Sequence, residues 1–103
     1  THWASCSVSL PVFPNRNCIE ILCSKIPRSI LRVKACVQIR GEEGFTYFER
    51  TPDGKHSIRP LYGVPPMGPT LLTVGLGSDA VFLNGIIEET LLESSLVDEE
   101  IFT

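Results

Sequence analysis

The sequence predicts an α+β domain, in which two helices cover one face of a mainly antiparallel sheet of four to five strands. Apolar and polar residues alternate in several segments, which is the pattern of half-buried strands. Two other stretches carry the wider apolar spacing of amphipathic helices. Glycine and proline residues separate these segments at short intervals. The predicted order is β-α-β-β-β-β-α within a single domain over 1–103.

The first strand and the first helix are predicted over the first quarter of the chain. Small or apolar residues alternate with polar ones over 3–10, and prolines follow. Asn15 and Asn17 are alternative N-caps for the helix that comes next. Apolar residues then recur at helical spacing over 18–26, and Pro27 ends the helix because proline cannot continue it.

The clearest strand is predicted over residues 30–40. Apolar side chains occupy its odd positions from 31 to 39, and mostly polar side chains occupy its even positions from 32 to 40. Successive side chains of a strand point to opposite faces of a sheet. We therefore expect the odd positions to pack on the core and the even positions to meet solvent or a partner.

A hairpin follows this strand. Its strands are predicted over 45–50 and 56–61, around a turn that contains Pro52 and Gly54. Pro60 has no backbone N–H to donate to a neighbouring strand. The second strand of the hairpin is therefore expected at an edge of the sheet.

The last strand and helix complete the domain. Residues 62–69 form a loop rich in proline and glycine, and residues 71–76 form the last strand. Ser78 is expected to cap the second helix, which continues to about residue 92. The acidic residues 93–103 are expected to fray.

Composition narrows the class of protein. Net charge is −3 from nine basic and twelve acidic residues, whereas nucleic-acid binding normally needs a basic surface. No apolar run is long enough to cross a bilayer, and no secretory signal is visible. The cysteines form no C-x-x-C pair and are expected as free thiols in a reducing cytoplasm. They are Cys6, Cys18, Cys23 and Cys36.

The motifs of common enzymes are missing from the sequence. There is no glycine-rich P-loop with its lysine and no serine–histidine–acid arrangement. Neither His2 nor His56 has a second potential metal ligand at suitable spacing. Gly75 and Gly77 are expected in a tight turn between strand and helix. We therefore predict no enzymatic activity and no catalytic, cofactor-binding or metal-binding residue in this chain.

A candidate interaction face lies on the polar side of the strand over 30–40. Arg32 and Lys34 are two residues apart on that side, and Arg40 lies further along. Trp3 is expected on the same face of the sheet, where an aromatic beside an arginine is typical of an interface. Two interpretations stay open: a charged surface facing solvent, or a face on which an acidic surface docks.

Residues 26–34 resemble the signature of the C-terminal domain of CobW-like GTPases, a short helix ending in Leu-Pro before a strand that opens Leu-Arg-x-Lys-Gly. Arg32 and Lys34 match that signature, and Ala35 stands where the family has glycine. His2 with the serines after it, and residues 71–75 before a helix, are similar to the first and last elements of that domain. The resemblance covers residues 1–92.

The resemblance implies a parent protein with an N-terminal P-loop GTPase domain. That domain would hold GTP with Mg²⁺ and a metal ion, and the protein would deliver cobalt or zinc to client proteins or cobalamin-type cofactor pathways. The present chain would then be a non-catalytic accessory domain. Its implied partners are the GTPase domain and a metal-receiving client, with no nucleic acid and no membrane.

Two other functions remain as alternatives. Phe45, Tyr47 and Phe48 suggest the stacking platform of an open-sheet module that binds single-stranded nucleic acid, although the acidic balance argues against it. A free-standing domain that binds a small molecule or a metal is the other alternative.

Overall fold

The computed structural model describes residues 4–102, with the side chains up to residue 95. It confirms the α+β class and the predicted order of elements. The elements are β1 (Ala4–Ser9), α1 (Asn17–Lys25), β2 (Ile30–Val37), β3 (Phe45–Arg50), β4 (His56–Leu61), β5 (Thr70–Gly75) and α2 (Ala80–Phe102). The predicted end of the second helix at about residue 92 is wrong, since α2 continues through the acidic residues to Phe102. That this acidic end frays stays a prediction.

The five strands form one sheet in the order β1-β5-β2-β3-β4, and every neighbouring pair is antiparallel. The strands β2, β3 and β4 form the predicted meander. By contrast, β5 does not pair with β4, the strand before it in sequence, but lies between β1 and β2. Since β1 and β2 are both antiparallel to β5, they run in the same direction, and α1 lies on the connection between them.

The core lies between the two helices and one face of the sheet. Helices α1 and α2 pack against each other, and their apolar side chains join those of the strands in one buried cluster. At the far edge, β4 is exposed along its length except at Leu61. Pro60 lies in this edge strand, as predicted, since its missing N–H would interrupt a central ladder.

A β-bulge shifts the beginning of β2. Ile30 pairs with Gly75 and Arg32 pairs with the adjacent Val74, so Leu31 is the extra residue. Ile30 is therefore fully buried, whereas Leu31 is only half-buried. The expectation that the odd positions face the core is wrong for Leu31. It holds from Val33 onwards, where the regular alternation resumes.

The predicted cap of α1 is wrong. Arg16 occupies the N-cap position without a side-chain hydrogen bond, and Asn17 lies inside the helix. The side-chain amide of Asn15 donates instead to Ser94 Oγ of α2, at 2.8 Å. Asn15 thus connects the beginning of α1 to the second helix.

The cap of α2 also differs by one residue from the prediction. Asp79 precedes the helix, and its Oδ1 accepts a hydrogen bond from the backbone N–H of Phe82 at 3.0 Å. Ser78 is buried, and its hydroxyl oxygen accepts a hydrogen bond from Thr73 Oγ1 at 3.0 Å. The Ser78 side chain therefore ties the end of β5 to the turn and does not cap the helix.

Candidate docking site on the open sheet face

The side of the sheet opposite the helices is called the open face here, and neither described helix covers it. Its positions follow from the alternating burial of the strands and from their register, because residues paired across antiparallel strands share a face. They are Ser5, Ser7 and Ser9 of β1, Arg32, Lys34 and Cys36 of β2, Phe45, Tyr47 and Glu49 of β3, Ser57, Arg59 and Leu61 of β4, and Thr70, Leu72 and Val74 of β5.

The structure brings two of the four predicted interaction residues together on this face. Arg32 is exposed and pairs with Val74, whereas Lys34 is half-buried and pairs with Leu72 on one side and Glu49 on the other. Within the described part of the chain, neither cation forms an ion pair.

The other two predicted residues are placed differently. Arg40 is exposed in the turn beyond the end of β2, where its backbone N–H donates to the carbonyl oxygen of Phe13 at 2.8 Å. Arg40 is therefore not part of the β2 ladder that holds Arg32 and Lys34. Trp3 lies outside the described residues.

The loop of residues 62–69 borders a groove on the open face. The chain must return from β4 at the edge to β5 inside the sheet, and the loop makes this connection past the end of β2. The carbonyl oxygen of Gly68 accepts hydrogen bonds from Cys36 Sγ at 3.2 Å and from Thr70 Oγ1 at 3.0 Å. Loop and sheet together border an open groove of about 380 Å³, here called the open-face groove. Its lining includes Lys34, Tyr47, Leu61, Pro66, Met67 and Leu72.

Tyr47 is held firmly in the floor of the groove. Its hydroxyl donates to Glu49 Oε2 at 2.9 Å, and the Arg59 guanidinium lies 4.6 Å from the centre of its ring. Burial raises the pKa of Tyr47, and the neighbouring Glu49 carboxylate raises it further. Tyr47 is therefore a neutral hydrogen-bond donor near pH 7, with an arginine stacked on its ring.

The loop exposes large apolar side chains beside this groove. Tyr62, Val64 and Met67 are 90%, 82% and 76% exposed, and Leu72 on the adjacent strand is also exposed. The prolines and glycines of this loop predicted a connection between strands and no binding surface. The large apolar residues of the loop were a sequence signal for a surface site, because a connection that only spans a distance does not require them.

The open face does not carry the predicted platform of three aromatic rings. Phe45 and Tyr47 lie on it, but Phe48 is only 1% exposed on the opposite side, in the core. The prediction was wrong for Phe48 because side chains alternate along β3. Among the described strand residues of this face, only Phe45 and Tyr47 could stack with bases, and the ring of Tyr47 already contacts Arg59.

The four cysteines are free thiols. Cys6 packs against the core and Cys36 lies on the open face, so the two point to opposite sides of the sheet, as predicted. Burial raises the pKa of the Cys23 thiol to about 11. Over the described residues, no three His, Cys, Asp or Glu side chains come together to form a metal site.

The fold is shared with part of a known GTPase. A solved structure of a Zn(II)-bound triple mutant of the YjiA GTPase superposes with a TM-score of 0.62 and 17% sequence identity, over 85% of this chain. YjiA is a GTPase of the CobW-like family. The matched region is 29% of the YjiA chain. At this identity, the likeness establishes the fold.

No protein-family model matches the sequence, and no curated protein matches it either. Among the described residues, no helix is both long and apolar enough to cross a membrane.

Proposed function

We propose that this chain is an accessory domain of a CobW-like GTPase, which docks on the GTPase domain and helps to recognise a client protein that receives a metal such as cobalt or zinc. The observation that carries this proposal is the open face. It places Lys34 beside exposed apolar loop residues and Arg32 further along the same strand, on a fold shared with part of the YjiA GTPase. Neither cation forms an ion pair with a described residue.

The residues that resemble the CobW-like signature lie at positions that support the proposal. Ile26 and Pro27 end α1 and begin the turn into β2. Arg32 and Lys34 then follow on the open face, where neither forms an ion pair with a described residue. Gly75 ends β5 directly against the start of β2. The matched residues therefore either build the junction between α1, β2 and β5 or face outward from it.

The proposal divides the chemistry between two domains. GTP, Mg²⁺ and the transported metal belong to the GTPase domain, and this chain performs no catalysis by itself. This chain contributes a binding surface. Charged residues on the open face orient the partner, and apolar side chains of the loop add affinity. A cytoplasmic location would fit a chain with free thiols.

The first test is the reading frame that encodes this chain. It should also encode a P-loop GTPase domain, and its absence would overturn the proposal. The GTPase domain and this chain are then produced separately and titrated against each other by calorimetry. We expect binding that weakens when Arg32 and Lys34 are both replaced by alanine. No binding in trans by the unaltered chain would count against the docking role.

Metal titration gives a second test. The isolated chain should not bind cobalt or zinc at micromolar concentration, since the transported metal is assigned to the other domain. Stoichiometric binding to this chain alone would favour a free-standing metal-binding protein over the accessory role.

A further inference from the structure

We propose that the open-face groove binds a short acidic segment of the partner protein, which inserts one large apolar side chain between the loop and the sheet. This inference names the chemistry of the partner in the docking role above, and it rests on that proposed function. It is carried by an apolar wall, an excess of positive charge, and a fixed shape.

The apolar wall accounts for the inserted side chain. Met67 and Leu72 are exposed on opposite sides of the groove, and Pro65 and Pro66 complete the loop side. Exposed apolar side chains that line one concave surface mark binding sites more often than scattered ones do. A volume of about 380 Å³ accommodates one large side chain with its backbone.

The charge of the open face selects an acidic partner. Its strand positions carry the cations Arg32, Lys34 and Arg59 but only one carboxylate, Glu49, although the whole chain has a net charge of −3. Glu49 accepts the hydrogen bond of Tyr47 and forms no ion pair in the described structure. Carboxylates of a docked segment would therefore meet positive charge on this face.

Lys34 joins the apolar and charged parts of the site. It pairs across the sheet with Leu72, and both side chains line the groove. A segment whose apolar side chain contacts Leu72 would place its neighbouring carboxylate near the Lys34 ammonium. An apolar anchor beside an acidic residue is thus the pattern that this pair recognises.

The groove is formed before any partner arrives. Hydrogen bonds from Cys36 and Thr70 to Gly68 fix the loop against the sheet. The Tyr47 ring is held by Glu49 and Arg59. A preformed site loses less conformational entropy on binding than a mobile one.

The probe is a fluorescein-labelled decapeptide of alternating glutamate and aspartate around a central Leu-Phe pair, measured by fluorescence anisotropy. Two control peptides replace either the acids by glutamine or the Leu-Phe pair by alanine. We expect the acidic apolar peptide to bind and each control peptide to bind about tenfold more weakly or worse. Affinity should also fall as salt is raised.

Protein variants locate the site. Lys34→Glu and Met67→Ser should each weaken binding of the peptide, by about tenfold for the charge reversal. The controls are Lys55→Glu in the β3–β4 hairpin and Val81→Ser on α2, which make the same kind of change at exposed residues away from the groove. These controls should change affinity by less than about twofold, as for exposed residues outside an interface.

Equal weakening by Lys34→Glu and Lys55→Glu would overturn the groove as the site, as would undetectable binding of the peptide. Two other results would overturn the choice of occupant: displacement of the peptide by oligothymidylate, or self-association of the chain that Met67→Ser abolishes. If the inference fails while the GTPase domain still binds in trans, the accessory role stands without the groove. If neither binds, both proposals fail.

Discussion

Arg50 Nη1 lies 2.6 Å from the carbonyl oxygen of Ile26, the C-cap residue of α1. The same nitrogen donates to Cys23 at 2.8 Å, and Nη2 donates to Pro27 at 3.0 Å and to Ile30 at 2.7 Å. A strand residue thus satisfies carbonyl groups that the end of a helix leaves unpaired. Burial lowers the pKa of Arg50, which is 3% exposed, but the guanidinium remains charged near pH 7.

Arg50→Met is expected to destabilise the fold by about 3 kcal/mol, because buried carbonyls would lose their donors. Arg28→Met is the matched control, since Arg28 is exposed and donates to Pro52 at 3.4 Å. That control should cost about 0.5 kcal/mol or less. Urea unfolding of both variants measures the difference, and equal midpoints would show that Arg50 does not hold the end of α1.

Gly75→Ala is expected to cost about 3 kcal/mol or more, since an added Cβ overpacks a closed junction. That Cβ would lie 2.6 Å from the Ser29 carbonyl oxygen, at a φ of +147°. Gly77→Ala is the control, with a φ of +87° but no atom within 4 Å of the added Cβ. Backbone strain alone should cost it about 1 kcal/mol. Thermal unfolding should rank the two variants in this order, and the reverse order would contradict the close contact at Gly75.

The Cys23 thiol should make stability fall in alkaline solution. Burial raises its pKa from 9.0 to about 11 in the folded state. Below pH 9 both states keep the proton, and the contribution to stability is complete. Between pH 9 and 11 the unfolded chain loses the proton first, so the free energy of unfolding decreases. The slope of stability against pH in this window should be smaller in Cys23→Ala, and identical slopes would refute this assignment.

Replacing both Arg32 and Lys34 by alanine should leave stability nearly unchanged, by about 0.5 kcal/mol or less per site. Both residues lie on the open face, and their removal leaves no cavity in the core. Val33→Ala, at a fully buried position between them, should cost about 2 kcal/mol. Chemical unfolding tests the assignment of the two strand faces, and a large loss in the double variant would reverse it.

The chain should fold without metal. Its helices and sheet enclose a continuous apolar cluster, so no metal is needed to hold the elements together. Thermal unfolding curves with and without a strong chelator should coincide. A fall in melting temperature of many degrees with chelator would reveal a structural metal ion.

The strand positions of the candidate site could be predicted from the sequence, but the loop that borders it could not. Alternation along β2 was sufficient to place Lys34 on the face opposite Val33 and Ala35. It could not show that residues 62–69 border the same face, because the path of that loop depends on where β5 joins the sheet. Arg40 was misplaced for a similar reason: the regular ladder of β2 ends at Val37, before the sequence alternation does.

The sequence by itself determined the local elements and which of their faces exclude water, because side-chain alternation along a strand and helical spacing are short-range properties. The tertiary structure alone decided the insertion of β5, the bulge at Leu31, and the partners of polar side chains. Asn15 reaches Ser94 across 79 positions, and Arg50 reaches Ile26 across 24. Such partners are set by how the elements pack, since a buried polar group takes whichever acceptor or donor the assembled fold brings within reach.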